Sequence, residues 1–216
     1  MLRDRLRIGP LLALGAVLVI GACGDPDDEA LGHRPGLTGG WSTAGCELAR
    51  EPENVVVGDL TLPATPAELD AAIARIDHGG RGDFADSYAG LEVDQQRVRA
   101  VVYRVPSEDF DDFIRRSAEN ACIVVRDAPY SNTGLAVWHD RVLADLPFWT
   151  NRGIRIVTIG ARHDGAGVEI GTRDIDRARL ELPARYGSRA PLVFVQQAQV
   201  YPLSTPSAPT AIPPGT

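Results

Sequence analysis

The sequence lacks lysine and has few histidines and cysteines. All 22 basic residues are arginine, which excludes a phosphate-binding loop that ends in lysine and a hydroxyl residue. The four histidines show no paired spacing and the three cysteines form no C-x-x-C, so a metal-binding motif is absent. The formal net charge of −7 argues against nucleic acid as a partner. We therefore expect no metal, no other cofactor and no nucleic acid.

A membrane-spanning hydrophobic run is also missing from the N-terminus. The apolar stretch from Ile8 to Ile20 is interrupted by Pro10. It would extend roughly 20 Å as a helix, whereas the hydrocarbon core of a bilayer is about 30 Å thick. The stretch follows a leader with three arginines, and small residues stand directly before Cys23. It is therefore expected to be removed by processing and not to span a membrane.

This N-terminus resembles the signal peptides of bacterial lipoproteins. The resemblance implies that residues 1–22 are removed and that the thiol of Cys23 is acylated. Two or three acyl chains hold a protein on a membrane, whereas a single chain holds it only weakly. We therefore expect a protein anchored by lipid on the extracytoplasmic face of the cell membrane. The alternative is an ordinary secretory leader followed by an unmodified cysteine.

With Cys23 assigned to lipid, two thiols remain in an exported and oxidising compartment. Cys46 and Cys122 then have one possible connectivity, which predicts a disulfide that closes a loop of about 76 residues. The alternatives are a metal pair or a catalytic thiol. A metal would need further ligands, and the histidine spacing does not supply them.

Composition divides the exported chain into three parts. Residues 23–40 are rich in Gly, Asp and Pro and predict a disordered tether, and residues 202–216 predict a disordered, proline-rich tail. One globular domain is expected over 41–201. Removal of the leader takes away three of the 22 basic and one of the 29 acidic residues, so the exported part carries a charge of −9.

The domain shows a duplicated order of elements. Strands are predicted at 88–93 and 97–103, followed by a helix at 107–121 and a strand at 122–126. A second set follows at an offset near 70, with strands at 154–162 and 167–172, a helix at 174–186 and a strand at 191–199. The repeats cover about 88–130 and 154–201. This predicts an α+β fold of two ββαβ units with helices on one face of antiparallel or mixed sheets, as one six-stranded sheet or two three-stranded sheets.

Further elements surround these units. Thr65 is the predicted N-cap of an N-terminal helix over 65–77, with proline at its first position. A short strand or strand-like arm is predicted over 55–62. A linking helix is predicted over 131–151, and Pro183 predicts a kink or an early break in the last helix. Gly187 is its expected C-terminal stop.

Two tryptophans lie on the apolar stripe of the linking helix. Trp138 and Trp149 recur at helical spacing with three aliphatic residues. Aromatic side chains at this spacing are typical of a core, and the alternative is that both line a ligand groove.

The second unit resembles a module of secreted actinobacterial proteins. The similarity rests on residues 153–157, 164–171, 184–187 and 192–195, and it covers roughly 88–201. The module is similar to the C-terminal part of the pro-regions of α-lytic and streptogrisin-type proteases, and similar modules occur in free-standing lipoproteins. In those proteases the pro-region assists folding and then inhibits the enzyme. The chain has no Gly-Asp-Ser-Gly-Gly, so the resemblance implies action on a separate protease.

Three functions are compatible with these patterns. A non-catalytic, lipid-anchored domain that binds a protein, a peptide or an envelope component is favoured, because no active-site motif is present. The second is a folding assistant or inhibitor of a secreted trypsin-like protease. The third is a hydrolase whose site assembles in space, for example around His139 beside Asp140 or His163 beside Asp164.

Overall fold

The computed structural model describes residues 39–48 and 50–198. The signal peptide 1–22, the acylation of Cys23, all of the tether up to residue 38 and the tail 202–216 lie outside the described residues. The described part contains five α-helices and three sheets, with helices and strands interspersed along the chain. The predicted α+β class is confirmed.

Nine strands and five helices follow one another in the described part of the chain, together with a short 3-10 helix over Ala44–Glu47. In chain order they are β1 (Trp41–Ser42), β2 (Glu53–Val57), β3 (Leu60–Ala64), α1 (Ala67–Arg81), β4 (Tyr88–Asp94), β5 (Arg99–Arg104), α2 (Glu108–Ala118), β6 (Ile123–Asp127), α3 (Asn132–Ala144), α4 (Leu146–Asn151), β7 (Ile156–Ala161), β8 (Val168–Thr172), α5 (Ile175–Tyr186) and β9 (Leu192–Gln196).

The strands form two separate ββαβ sheets and one isolated hairpin. In the first unit β4 and β5 are antiparallel, α2 crosses over, and β6 returns parallel to β5. The two-residue strand β1 extends this sheet, which has the order β1-β6-β5-β4. In the second unit β7, β8 and β9 repeat the same arrangement. β2 and β3 pair only with each other among the described strands.

The two ladders share one register, including its irregularity. The first antiparallel pairs are Tyr88 with Arg104 and Ile156 with Thr172, and the register shifts directly after both pairs. Position 156 is 68 residues after 88, and 172 is 68 residues after 104. The units are therefore related by an offset of 68 residues, and a match at an offset near 70 is two positions out of register.

Each ββαβ sheet has helices packed on one face, as predicted, and each of the two units has its own core. In the first unit α1 and α2 cover the inward residues of β4, β5 and β6, with Ile76, Val102 and Phe110 fully buried. In the second unit α3, α4 and α5 cover β7, β8 and β9 around Trp149, Ile170 and Leu182. Successive side chains of a strand point to opposite faces, and on the second face of the first sheet Ala89, Val101 and Tyr103 form a separate buried cluster with Ala128.

Helix α1 begins later and ends later than predicted. Pro66 occupies the N-cap position and no side chain caps the helix, because the Thr65 hydroxyl accepts a hydrogen bond from the Gln95 amide at 3.2 Å instead. The helix continues through Gly79 and Gly80, where a Cβ would lie 2.4 Å from the Phe113 ring and 2.6 Å from the Tyr88 ring. Glycine permits this close approach of helix and core.

The prediction of one continuous linking helix over 131–151 is wrong. The structure has two helices, α3 and α4, which meet at Asp145. Pro147 lies in the first turn of α4, where its missing N–H costs nothing. Within one continuous helix the same proline would lose a hydrogen bond and crowd the carbonyl of Leu143.

The ends of the other two helices differ from their predictions in opposite ways. Helix α2 ends at Ala118 and not at residue 121, because Glu119 adopts a positive φ of 50°. Helix α5 keeps Pro183 inside and continues to Tyr186, so the early break is wrong. Gly187 then ends α5 with a φ of 95°, as predicted.

A disulfide joins Cys46 and Cys122, as predicted. It connects the 3-10 helix to the residue before β6. The neighbouring Thr43 hydroxyl donates to the Ala121 carbonyl at 2.8 Å and accepts from the Ile123 N–H at 3.0 Å. A Cβ on Gly45 would lie 2.2 Å from the Asn120 carbonyl oxygen, so this segment lies directly against the first unit.

Replacement of Cys46 and Cys122 by serine is expected to lower the free energy of unfolding by about 4 kcal/mol, because the disulfide restricts a long loop in the unfolded chain. Urea denaturation measures the change. Cys23→Ser is the control and should leave the free energy of unfolding unchanged. Reaction of both thiols with a labelling reagent in denatured but unreduced protein would contradict the assignment.

Candidate functional site

The first candidate is an open cleft of about 520 Å³ between the two units. Helix α1, the edge strand β4 and the turn between β7 and β8 form its walls. The wall residues that carry polar side chains are Asp70, Asp77, Arg81, Tyr88, Asn132, Arg162 and His163.

The turn between β7 and β8 reaches the first unit because two glycines permit close contact. A Cβ on Gly90 would lie 2.5 Å from the His163 carbonyl oxygen. Gly165 has a φ of 67°, and a Cβ there would lie 2.4 Å from the Tyr130 carbonyl oxygen. Any larger residue would push the turn away, so these glycines position His163 beside β4.

Ionic contacts hold the conformation of this turn. The Arg162 guanidinium donates to Asp164 at 2.6 Å and to Glu169 at 3.1 Å, and the Ala166 N–H donates to Asp164 at 3.0 Å. Burial alone would raise the pKa of Asp164, but the hydrogen bonds from Arg162 and Ala166 and the nearby positive charges outweigh it. The pKa of Asp164 therefore lies below its ordinary value.

Asp77, Arg81 and Tyr88 form a second polar group in the cleft. The Tyr88 hydroxyl donates to Asp77 at 2.6 Å, and Arg81 Nε contacts the same carboxylate at 2.9 Å. Burial and this hydrogen bond raise the pKa of Tyr88 above its ordinary value. Burial would also raise the pKa of Asp77, but the hydrogen bonds from Arg81 and Tyr88 reverse its effect and leave the pKa lowered.

These directions do not suit acid–base catalysis at neutral pH. A catalytic group functions best with a pKa near the working pH, whereas Asp77 is held ionised and Tyr88 is held protonated. Serine, threonine and cysteine are absent from the described residues that line the cleft. The cleft therefore offers paired charges and hydrogen-bonding groups but no activated nucleophile.

Of the two histidines named for a triad, His139 contacts the aspartate that follows it in sequence and His163 does not. His163 Nε2 lies 3.3 Å from Glu92, and Asp164 is engaged by Arg162. The Tyr103 hydroxyl also donates to Glu92, at 3.0 Å, and burial first and this contact second raise the pKa of Tyr103 to about 12. His139 lies on α3 and contacts Asp140 at 3.0 Å.

Trp138 and Trp149 belong to the second core and do not line the cleft. Trp149 is fully buried, and its indole N–H donates to the Tyr186 hydroxyl at 2.8 Å. Trp138 is half-buried against the same core, with the Arg141 guanidinium 5.4 Å from its ring centroid. Their placement favours the core interpretation of this stripe.

The second candidate is the hairpin of β2 and β3, which extends away from both cores. Val55, Val57, Leu60 and Leu62 lie on one face, because Val55 pairs with Leu62 and Val57 pairs with Leu60. These four side chains are 44% to 64% exposed, and none belongs to a core of the described residues. They form an uncovered apolar surface, which we call the hairpin face.

The sequence prediction recognised a single arm over 55–62 and missed this hairpin. A usable signal was present: Val57-Gly58-Asp59-Leu60 places glycine at the first central position of a two-residue turn. Gly58 has a φ of 62°, which this turn type requires. The poor alternation of the flanking residues concealed the two strands.

The described residues contain no group of three or more metal-ligating side chains, and no described helix is long and apolar enough to cross a membrane. The chain matches no protein-family model, and no curated protein or solved structure matches it. The resemblance to protease pro-regions therefore stays a prediction.

Replacement of Asp164 by asparagine is expected to lower the free energy of unfolding by about 1 to 2 kcal/mol at neutral pH, because Arg162 loses a charged acceptor. The pKa of Asp164 is lowered in the fold, so its contribution is fully present above about pH 5 and disappears as the pH falls through the folded pKa.

Urea denaturation at several pH values measures this difference between Asp164→Asn and the unsubstituted protein. The difference should shrink below about pH 4, the ordinary range of an aspartate. Asp59→Asn, at the exposed hairpin turn, is the charge-matched control. A difference that is constant from pH 2 to 7 would show that the carboxylate charge is not responsible.

Proposed function

We propose that this protein is a non-catalytic, lipid-anchored extracytoplasmic protein that binds another polypeptide through the hairpin face. The observation that supports the proposal is the exposure of four large apolar side chains on a two-stranded element without a core. Contiguous exposed apolar surface marks interaction sites in soluble proteins, and an isolated hairpin is only marginally stable. A bound partner would cover this face.

The energetics favour a partner for this face. Complete burial of a valine or leucine side chain contributes about 1.5 to 3 kcal/mol, and here roughly half of each side chain is still exposed. Coverage of the four side chains therefore offers several kcal/mol for association. Single exposed apolar residues elsewhere, such as Val137 and Leu180, lack this arrangement as cross-strand pairs.

The base of the hairpin supports the proposal as well. On one side Cys46 is bonded to Cys122, and Arg50 contacts Glu68 at 3.0 Å and the Asn120 carbonyl at 2.7 Å. On the other side the chain enters α1. The hairpin is therefore presented from a fixed base, which lowers the ordering cost of binding.

The extracytoplasmic location rests on the N-terminal sequence and is supported by the disulfide. Disulfides persist in exported proteins and are rare in the cytosol. Cys23 lies outside the described residues, and its acylation is part of this proposal. The cleft supports a catalytic function less well, because Asp77 and Tyr88 have pKa values shifted away from neutrality.

Cys23→Ser is expected to move the protein from the membrane fraction to the soluble fraction, because the acyl chains are lost. Cell fractionation and mass spectrometry of the mature N-terminus measure this change. Cys46→Ser with Cys122→Ser is the control and should leave the protein on the membrane. An unmodified Cys23 in membrane-bound protein would contradict the lipid anchor.

A photo-crosslinking residue at position 57 should form a defined adduct in intact cells, because this side chain is 60% exposed on the hairpin face. Val55→Thr with Leu62→Thr should abolish the adduct while stability changes by only about 0.5 kcal/mol per site, as is usual for surface substitutions.

Val137→Thr with Leu180→Thr is the matched control for this experiment. It removes a more exposed aliphatic pair from α3 and α5 and should leave the adduct unchanged. Equal loss in both variants, or no adduct at position 57, would contradict a binding role of the hairpin face.

A further inference from the structure

The two outer edges of the hairpin differ in hydrogen-bonding capacity. Val57 and Leu60 flank the two-residue turn and form a hydrogen-bonded pair, and such pairs alternate with non-bonded pairs along an antiparallel ladder. Asn54 and Val56 are then in non-bonded positions, so their backbone N–H and C=O groups point away from β3. β2 has no second neighbour among the described strands.

Proline blocks the opposite edge. Pro63 pairs with Asn54, which places the Pro63 nitrogen on the outer edge of β3. This nitrogen carries no hydrogen, so β3 cannot donate a bond there to an additional strand. The edge of β2 is consequently the open edge of this hairpin, and unpaired edges are templates for strand addition.

Charge determines which strand suits this edge. Glu51, Glu53 and Asp59 are exposed around the hairpin face, and none takes part in an ion pair of the described residues. Arg50 is the one basic residue between Cys46 and Ala64, and it is engaged by Glu68 and the Asn120 carbonyl. The apolar face is therefore bordered by acidic groups that have no local counterion.

We propose that β2 receives an extended polypeptide segment as a third strand, with β-branched residues at its centre and basic residues at both ends. This inference deepens the proposed function and rests on it. The central side chains cover Val55 and Val57 on the hairpin face, and the basic ends reach Glu53 and Asp59. Backbone hydrogen bonds to Asn54 and Val56 give affinity, and the side chains give specificity.

The same charges disfavour two other partners for this edge, a second copy of the chain and a membrane surface. A second copy would bring two acidic hairpins together, and like charges across an interface oppose association. A membrane with anionic lipids would repel them, because attraction to such a surface needs arginine or lysine. Both occupants are outcomes of the experiment below.

The test uses the whole exported chain, residues 23–216, with Cys23→Ser so that it is soluble. The probe is a fluorescent peptide Arg-Thr-Val-Thr-Val-Thr-Arg, and fluorescence anisotropy measures its binding. Two control peptides keep the length: one has glutamate at both ends, and the other has proline as its central residue. The first peptide should bind, and both controls should bind about tenfold more weakly or not at all.

A pair of proline variants tests the edge directly. Val56→Pro removes an outward N–H from β2 and leaves the ladder bonds to β3, so it should abolish peptide binding. Thr61→Pro is the matched control on the edge that Pro63 already blocks, and it should bind the peptide normally. Circular dichroism and urea denaturation check that both variants fold.

A second set of variants separates local from overall charge. Glu51→Gln, Glu53→Gln and Asp59→Asn together should weaken binding about tenfold, the effect of roughly two surface ion pairs. Asp83→Asn, Glu108→Gln and Asp109→Asn remove the same charge from other exposed positions and should have little effect. Equal weakening by both sets would overturn the proposal.

Two further measurements cover the other occupants. Sedimentation measures whether the protein dimerises as its concentration rises. If it does and Val56→Pro abolishes the dimer, the partner of this edge is a second copy of the chain and not a basic peptide. If the protein binds phosphatidylglycerol vesicles and Val55→Thr with Leu62→Thr abolishes that binding, the partner of the hairpin face is a membrane and not a basic peptide. If crosslinking at position 57 succeeds in cells and the basic peptide does not bind, this inference fails while the proposed function stands.

Discussion

The attachment of the N-terminal segment to the first sheet is the constraint on which the position of the hairpin depends. The Cys46–Cys122 disulfide and the two Thr43 hydrogen bonds hold this segment against the start of β6. Arg50 then bridges Asn120 and the first turn of α1. The chain between these anchors must leave the core and return to it. The hairpin of β2 and β3 is that excursion, which is why it has a rigid base and no core of its own.

The two ββαβ units have different side chains at the equivalent position at the end of their second strand. Arg104 is fully buried at the end of β5, where its guanidinium binds Asp111 and Asp127. The residue 68 positions later is Thr172, which donates to the Arg155 carbonyl at 2.8 Å and accepts from the Asp174 N–H at 3.2 Å. A buried charge needs paired carboxylates, whereas a hydroxyl needs only backbone partners. The repeated ladder therefore depends on hydrogen-bond satisfaction and not on residue identity.

Sequence periodicity predicted the repeated strands and helices well, because alternation and helical spacing are local properties. The helix break at Asp145 followed from Pro147, a signal that the apolar stripe through Trp138 and Trp149 concealed. The continuation of α1 through Gly79 could not be predicted locally, since it depends on contact with Phe113. The cleft could not be predicted locally either, because the turn that closes it meets β4 more than 70 residues away in sequence.

The hairpin face is a better functional candidate than the cleft for a physical reason. In the cleft both arginines are already compensated: Arg81 binds Asp77, and Arg162 binds Asp164 and Glu169. A ligand there would have to break these contacts before it formed its own. At the hairpin the apolar side chains, the acidic border and the edge of β2 have no partners in the described chain, so binding adds contacts without the loss of existing ones. Association is therefore less costly at the hairpin than in the cleft.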